Sequence, residues 1–441
     1  MEKGRPETGR AVVSGLGPNG VAAALELLKK GYRVTVVEKR SKYTRPIHLH
    51  LRSTYLRDIR RLSEELYERL MAIATPIEEN SRTGSQASDP VPNYLQDRRA
   101  TPREGEPCPV WSRLSTPPER HVRLDNAERL FYEFLQEKAA EPDSRLTIRR
   151  GPVLQLQPTP QGYYRVQLQG ESEDLGVPAL VVIAEGGKSV TVRDLGLESV
   201  RFSYPKYFMS AHVTVPFGPR TRRIDTDVRE LVDDPGVTPA EVSLWASGHG
   251  DSNEGTWVVL EVPQALLHQH PDQAEEYFLK GALLLMGAPI GAAAEELRAK
   301  IKETLHKGAL LSRKRGANLS GMEAASKKTF AGTFKFEQQC LRFPAAGKNV
   351  VVLGDAAGMG HHALSSGLEM GAYDLVALGV LCEELQRASE PEECIARYAE
   401  AVRNSRLRLL GLGMNEYYPD SAAGRLRMLH RAAELFGEGE N

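Results

Sequence analysis

The chain has 441 residues with 57 basic and 58 acidic side chains, and its formal net charge is −1 at pH 7. This balance lacks the basic field that attracts nucleic acid or an anionic membrane surface, so we expect neither as a partner. The chain has four cysteines without a Cys-x-x-Cys pair, and residues 1–10 are polar, which together predict a cytoplasmic protein with reduced thiols.

A glycine fingerprint lies near the start of the chain. Residues 11–20 read as a strand that enters a glycine turn, and a helical pattern follows. Gly15 suits a tight turn, Gly17 lets the backbone approach a pyrophosphate, and Gly20 permits close packing of the helix on the sheet. Glu38 ends the next strand at the distance expected of a carboxylate that binds the adenosine ribose. The pattern therefore predicts a site for FAD or NAD, with an unmodified ribose.

A second motif lies some 300 residues further on. Residues 349–353 are typical of a buried strand, and the strand runs into Gly354-Asp355. Residues 365–368 then suggest the start of an apolar helix. The N-terminus of such a helix would stabilise negative charge on a ligand.

Together these two motifs resemble the FAD-dependent monooxygenases of the p-hydroxybenzoate hydroxylase fold, the class A flavoprotein hydroxylases. Residues 38–51, which read Glu-Lys-Arg-Ser-Lys-Tyr-Thr-Arg-Pro-Ile-His-Leu-His-Leu, resemble the FAD domain of the MICAL-type monooxygenases most closely. The resemblance implies that Asp355 binds the ribityl chain and that Arg40 or Arg45 lies near the adenosine and pyrophosphate. The residues expected to contact FAD are Gly15, Gly17, Pro18, Asn19, Gly20, Glu38, Lys39, Arg40, Arg45, Leu49, Arg129, Val153, Gly354, Asp355, Gly367 and Leu368.

The chain departs from that family in three places. Glu185 stands where the family has the aspartate of an Asp-Gly pair, Glu128 stands where it has an arginine, and Arg129 follows one position later. The loop after Asp355 has fewer prolines and more glycines than the family pattern. Each departure puts a family contact in question, while the fold expectation is unaffected.

Three histidines are candidates for acid–base chemistry. His361 and His362 lie in the loop expected to border the flavin, and the resemblance places His50 near it as well. A histidine titrates near neutral pH, although a histidine in such a place is more often a hydrogen-bonded wall of the pocket. The sequence has no P-loop, no Gly-x-Ser-x-Gly and no His-Glu-x-x-His motif, so no metal site is predicted.

The predicted fold class is α/β, with a Rossmann-like FAD-binding domain interleaved with a β-sheet substrate domain, plus C-terminal helices. The FAD-binding domain is discontinuous because its motifs lie near opposite ends of the chain. Its predicted pieces are residues 1–74, 121–200 and 346–387, with a long loop or lid at 75–120, a substrate-binding domain at 201–345 and a helical segment at 388–441. The arginines of the last segment are expected on a solvated or homodimer-facing helix surface: Arg403, Arg406, Arg408, Arg425, Arg427 and Arg431.

The resemblance implies a monooxygenase that takes a hydride from NADPH or NADH as a transient reductant and reacts with O2 through a flavin C4a-hydroperoxide. The expected substrate is a small organic molecule, for which a secondary-metabolite intermediate is one candidate. The alternatives are a reductase or dehydrogenase of the same fold that works without oxygen, a non-catalytic flavin-binding protein, and the protein-methionine oxidation suggested by the MICAL resemblance. A flavin halogenase is a weaker alternative, because Trp111, Trp245 and Trp257 form no Trp-x-Trp pair.

Overall fold

A parallel sheet covered by helices lies at the centre of the molecule. The computed structural model describes residues 7–43, 48–76, 120–151, 153–169, 173–213, 222–223, 246–251, 255–262, 274–279, 295, 299, 302–303, 330–359, 366–387 and 389–417. The strands are β1 (Glu7–Ser14), β2 (Arg33–Glu38), β3 (His48–Leu51), β4 (Thr75–Pro76), β5 (Arg120–Arg123), β6 (Leu146–Arg150), β7 (Val153–Pro158), β8 (Tyr164–Gln169), β9 (Asp174–Gly176), β10 (Pro178–Ile183), β11 (Ser199–Val213), β12 (Arg222–Arg223), β13 (Ala246–Asp251), β14 (Gly255–Val262), β15 (Phe330–Leu341), β16 (Ala345–Ala346) and β17 (Val350–Val352). The helices are α1 (Pro18–Lys29), α2 (Ser53–Leu62), α3 (Glu64–Ile73), α4 (Leu124–Ala140), α5 (Val190–Asp194), α6 (Ser366–Gln386) and α7 (Pro391–Tyr417), with a short 3-10 helix at Gly354–Ala356.

The central sheet has the strand order β16-β17-β10-β1-β2-β6. All of its neighbouring strands are parallel except β16, which is antiparallel to β17. Its middle strands are almost entirely apolar and buried, as expected of parallel strands that are covered on both faces. The prediction of an α/β fold built on a parallel sheet is therefore confirmed.

Strand register brings the two sequence motifs to one edge of this sheet. Ser14, the last residue of β1, is opposite Val37 of β2 and Ile183 of β10, and Ile183 is in turn opposite Val352 of β17. The carboxyl ends of the four strands therefore lie side by side, and β1 lies between strands that come from different parts of the chain. Ligands of open α/β sheets bind in a crevice at such a point.

The larger of the other sheets is antiparallel and has the order β12-β13-β14-β11-β15. Its long strands β11 and β15 pair from Ser199–Leu341 to His212–Phe330, so the predicted β-rich character of residues 201–345 is found in the described part of that segment. Two small sheets, β3-β5-β4 and β7-β8-β9, are formed by the segments between β2 and β6 and between β6 and β10 of the central sheet. Arg45, His361, His362 and most of the predicted loop or lid at 75–120 lie outside the described residues.

The C-terminal helix α7 corrects one expectation. Arg406 was expected on a solvated or dimer-facing surface, but its side chain is 2% exposed and forms an ion pair with Asp374 of α6. Arg406 continues a buried stripe along α7 that includes Ile395, Tyr398 and Val402, at the three- and four-residue spacing of one helix face.

Among the described residues, no helix is long and apolar enough to cross a membrane.

Candidate functional site

The turn between β1 and α1 has the shape that its glycines predict. Gly15 has a φ of +97°, and a Cβ atom at this position would lie 2.6 Å from the carbonyl oxygen of Ala184. A Cβ at Gly20 would lie 2.0 Å from the carbonyl oxygen of Gly15. Both positions therefore require glycine, while a Cβ at Gly17 would have nothing within 4 Å. The turn is tight on its protein side and open at Gly17.

Helix α1 begins at this open position. Gly17 is its N-cap and has no side chain that could cap the helix, and Pro18 is its first residue. The first turn of a helix has unsatisfied N–H groups and partial positive charge, which together favour an anion. The turn therefore fits a pyrophosphate, and the backbone N–H groups of Asn19 and Gly20 are the donors that would face it.

Glu38 ends β2 beside this turn, and its carboxylate is already hydrogen-bonded within the protein. Oε2 accepts from the backbone N–H of Leu16 at 2.9 Å and from Nη2 of Arg40 at 2.9 Å. Oε1 accepts from the backbone N–H of Arg40 at 2.8 Å and from its Nε at 3.1 Å, so all four acceptor positions of the carboxylate are used. Burial alone would raise the pKa of Glu38, but the hydrogen bonds and charge of Arg40 lower it overall. Glu38 is therefore an anion at neutral pH. It can accept a ribose hydroxyl only in exchange for one of these bonds.

Arg40 is held from a second side by Glu128. Its Nη1 donates to Oε1 of Glu128 at 2.7 Å, and the Glu128 side chain is fully buried in α4. Its guanidinium also lies 5.1 Å from the ring centroid of Tyr43. A buried carboxylate that binds Arg40 thus stands at the position where the resemblance would place an arginine. Arg129, the alternative phosphate contact, lies on the exposed side of α4.

Glu185, the other departure from the family, has a structural role at the same edge. Its Oε1 accepts from the hydroxyls of Ser14 at 2.5 Å and Thr191 at 2.6 Å. Its Oε2 accepts from the Ser189 hydroxyl at 2.7 Å and the Thr191 N–H at 3.2 Å. Burial works to raise the pKa of Glu185, and the hydrogen bonds from Ser14, Thr191 and Ser189 lower it overall. This carboxylate joins the ends of β1 and β10 to the first turn of α5.

The second motif lies directly against the first. Gly354 has a φ of +62°, and a Cβ on it would lie 2.4 Å from Nδ2 of Asn19. Asn19 also fills the space beside Gly371 of α6, where a Cβ would lie 2.0 Å from its Oδ1. Asn19 was expected to contact FAD, and the structure places its side chain between Gly354 and Gly371. Its backbone N–H remains at the open turn.

Asp355 and Gly367 lie together, as the resemblance implies. Asp355 is exposed at the edge of the sheet, and a Cβ on Gly367 would lie 2.9 Å from Asp355 Oδ1. Leu368 follows in the buried first turn of α6. An exposed carboxylate beside a helix N-terminus fits the polar chain and ring edge of a flavin. The described residues on this edge are thus compatible with both ends of FAD.

The segment at β3 is connected to the same helix. Arg52 lies 3.7 Å from the Glu369 carboxylate, and the Thr54 hydroxyl lies 3.5 Å from it. His50 forms an edge-to-face contact with His121 of β5, with ring centroids 5.0 Å apart. Leu49 lies opposite Val122 in the same strand pair. The structure therefore gives His50 a packing partner and leaves its proposed catalytic role untested.

Reasoning from the sequence did not identify three residues that are important to this edge: Glu369, Asp374 and Arg406. Asp374 is a single acid within an apolar helical run, which indicates a buried partner. The partner, Arg406, continues the apolar stripe of α7. Helical periodicity could therefore have placed both in the core, although it could not have paired them. Lys39 is exposed just after β2 and Val153 is half-buried at the start of β7, and their contacts with FAD stay predictions.

The fold occurs in flavin enzymes of known structure. The structure of p-nitrophenol 4-monooxygenase PnpA from Pseudomonas putida is 14% identical, with a TM-score of 0.58 over 97% of this chain and 94% of that chain. PqsL, a probable FAD-dependent monooxygenase from Pseudomonas aeruginosa, is 17% identical, with a TM-score of 0.56 over 97% and 99%. CmlS, a flavin-dependent halogenase, is 14% identical, with a TM-score of 0.57 over 97% of this chain and 70% of that chain.

These similarities establish the fold alone. No protein-family model matches the chain, and no curated protein sequence matches it. The chain therefore shares the fold of flavin-dependent monooxygenases and of a flavin-dependent halogenase, and its own chemistry has to be argued from its residues.

Proposed function

We propose that the chain is an FAD-dependent monooxygenase that uses NADPH or NADH and O2 to oxygenate a small organic molecule. The observation that carries this proposal is the meeting of the two sequence motifs at one edge of the central sheet. The first turn of α1, the buried anion Glu38 and the exposed Asp355 lie at this edge, and they suit the pyrophosphate, the adenosine ribose and the ribityl chain of FAD, respectively. Bound FAD would supply hydride acceptance and oxygen activation.

The protein's own residues would bind and orient that group. The N–H groups of Asn19 and Gly20 would hold the pyrophosphate, and Glu38 would accept from the adenosine ribose in place of Arg40. Asp355 would accept from the ribityl hydroxyls. The first turn of α6, with the backbone of Gly367 and Leu368, would place partial positive charge against the flavin ring.

The remaining assignments extend this proposal. His50 is a candidate proton donor or acceptor, and so are His361 and His362. The FAD-binding domain would consist of residues 1–74, 121–200 and 346–387, with the substrate bound by 201–345 under a lid formed by 75–120. We further infer that the enzyme is cytoplasmic and that it is a monomer or a homodimer. The MICAL-type resemblance of residues 38–51 makes the methionine side chain of a protein, which would be oxidised to the sulfoxide, a second substrate class to test.

The test is a titration of the purified protein with FAD, followed by reduction with NADPH or NADH under anaerobic conditions and mixing with O2. Reduction is measured with and without p-nitrophenol and 2-methyl-3-hydroxypyridine-5-carboxylic acid, because two structural neighbours are named for these compounds. We expect FAD to bind, a nicotinamide cofactor to reduce it, and labelled oxygen from O2 to enter a product. Asp355→Ala should weaken FAD binding, whereas Asp174→Ala in β9 should not.

Other outcomes would favour the alternatives. Reduced flavin that passes electrons to a substrate without O2 would indicate a reductase or dehydrogenase. A product that gains chlorine or bromine when halide is added would indicate a halogenase, and bound FAD that no nicotinamide cofactor reduces under any of these conditions would indicate a non-catalytic flavoprotein. A protein that does not bind FAD would overturn the whole proposal.

A further inference from the structure

Gly354 has both of its backbone polar groups bonded to one buried ion pair. Its N–H donates to Oδ2 of Asp374 at 2.7 Å, and its carbonyl oxygen accepts from Nη2 of Arg406 at 2.8 Å. The two side chains also bond each other, through Nη2 to Oδ2 at 2.6 Å and through Nη1 to Oδ1. The side chains of Arg406 and Asp374 are 2% and 0% exposed. The pair and the glycine therefore form one closed group in the core.

This group determines where Asp355 lies. Gly354 has a φ of +62°, and it starts the 3-10 turn that carries Asp355. The carbonyl oxygen of Gly354 also accepts from the N–H groups of Ala357 at 3.0 Å and Gly358 at 3.2 Å. The same oxygen that Arg406 holds is thus the acceptor that closes the turn. A shift of Gly354 would move the Asp355 carboxylate away from Gly367.

Helix α7 holds the preceding strand as well. The Tyr398 hydroxyl donates to the carbonyl oxygen of Val352 at 3.0 Å, and Tyr398 is buried. Contacts from α7 therefore hold the chain at Val352 and Gly354, on both sides of Leu353. Residues 388–441 were expected to form a helical segment, and α7, which lies in that segment, contacts the turn of the second motif.

An ion pair is not needed at this place for stability alone. Burying two charges costs desolvation energy, and apolar side chains of similar volume often serve as well. What apolar side chains cannot provide is a donor for the carbonyl oxygen of Gly354 and an acceptor for its N–H. The distinctive consequence of this pair is therefore the conformation of the turn.

We infer that Asp374 and Arg406 are positioning residues for Asp355, through which helix α7 controls the affinity of the ribityl end of the FAD site. This inference rests on the proposed function, because it assigns Asp355 to FAD. It predicts a selective defect: the adenosine and pyrophosphate end, formed by α1 and Glu38, should bind as before. Collapse of the domain would instead weaken both ends.

Two ligands separate these possibilities. FAD spans both ends of the site, whereas ADP would reach only the turn at Gly17 and the Glu38 carboxylate. The variants are the double replacement Asp374→Leu/Arg406→Met, which removes both charges together, and Arg406→Lys, which keeps the charge without the planar fork. Leu70→Ala, in the buried face of α3, is the matched control for a general loss of core packing. Binding is measured by calorimetry below the unfolding temperature of each variant.

We expect FAD affinity to fall at least tenfold in the double variant and by a smaller factor in Arg406→Lys, with ADP affinity within threefold of wild type. Asp355→Ala should show the same pattern, and Leu70→Ala should bind both ligands as wild type does. Unchanged FAD affinity in both variants would overturn the inference while the proposed function stands, and so would equal losses of FAD and ADP. If the double variant does not fold, Arg406→Lys decides by the same two ratios. A wild-type protein that binds no FAD would overturn the proposed function and this inference together.

Discussion

Two arginines lie along the functional edge of the central sheet, and they are held in different ways. Arg40 is bonded to two carboxylate side chains, Glu38 and Glu128, and its side chain is 28% exposed. Arg406 is bonded to one carboxylate and to a backbone carbonyl, and its side chain is 2% exposed. A partly exposed side chain that contacts other side chains can rearrange when a ligand arrives. A buried side chain that holds the backbone belongs to the framework.

The largest effect is expected at the framework arginine. Arg406→Ala would leave the Asp374 carboxylate buried without its counter-charge, so we expect the free energy of unfolding to fall by roughly 3–5 kcal/mol. Asp374→Leu/Arg406→Met should lose much less, because it leaves no buried charge. Urea denaturation at pH 7 measures both. A loss below about 1 kcal/mol for Arg406→Ala would remove the distinction between the two arginines.

Arg40→Ala should cost less than Arg406→Ala. It leaves Glu38 and Glu128 without their shared cation, but water reaches the Arg40 site and screens the charges, so we expect a loss of about 1–3 kcal/mol. Arg40→Lys should recover part of this loss, since it restores the charge without the planar fork. The measurement is urea denaturation of both variants at pH 7. A loss as large as that of Arg406→Ala would show that Arg40 is equally part of the framework.

A variant of Glu185 tests what the negative charge of this hydrogen-bonded carboxylate contributes to stability at this edge. Glu185→Gln keeps the shape but removes the charge, and we expect it to lower the free energy of unfolding by about 1–2 kcal/mol at pH 7. Because the folded-state pKa lies below the ordinary value of 4.5, this contribution is complete above that value and is lost as the pH falls through the folded-state pKa. The difference between wild type and variant should therefore shrink below about pH 4.5. A difference that is independent of pH would contradict the assignment.

The sequence predicted the parts of the site that depend on local patterns. The turn at Gly15 and Gly20, the strand ending in Glu38 and the helix after Gly354-Asp355 all follow from short-range spacing and backbone requirements. Partners distant in the chain could not be predicted in this way. Arg40 and Glu128 are 88 residues apart, and no residue pattern indicates that a carboxylate in α4 would form an ion pair with that arginine.

The error at Arg406 has a different origin. Two further arginines, Arg403 and Arg408, lie close to it in the sequence, and arginine is seldom fully buried without a partner, so composition favoured an exposed surface. The spacing from Ile395 through Val402 placed it on the apolar face. The helical spacing correctly indicated that Arg406 is buried. Its residue type wrongly indicated exposure, because Asp374 and the carbonyl oxygen of Gly354 bind its guanidinium in the core.

Gly17 should show the smallest effect on stability and a clear effect on ligand binding. Its φ is −80° and a Cβ would have nothing within 4 Å, so alanine fits the backbone, and we expect Gly17→Ala to change the free energy of unfolding by less than about 1 kcal/mol. The added methyl group would stand where the pyrophosphate has to approach, so FAD affinity should fall by about tenfold, or 1.4 kcal/mol. Calorimetric titration and thermal unfolding of the same samples measure the two quantities. Gly20→Ala is the contrasting control, because its methyl group would collide with the Gly15 carbonyl and should lower stability as well as binding. If Gly17→Ala binds FAD as wild type does, the open side of this turn does not face the phosphates.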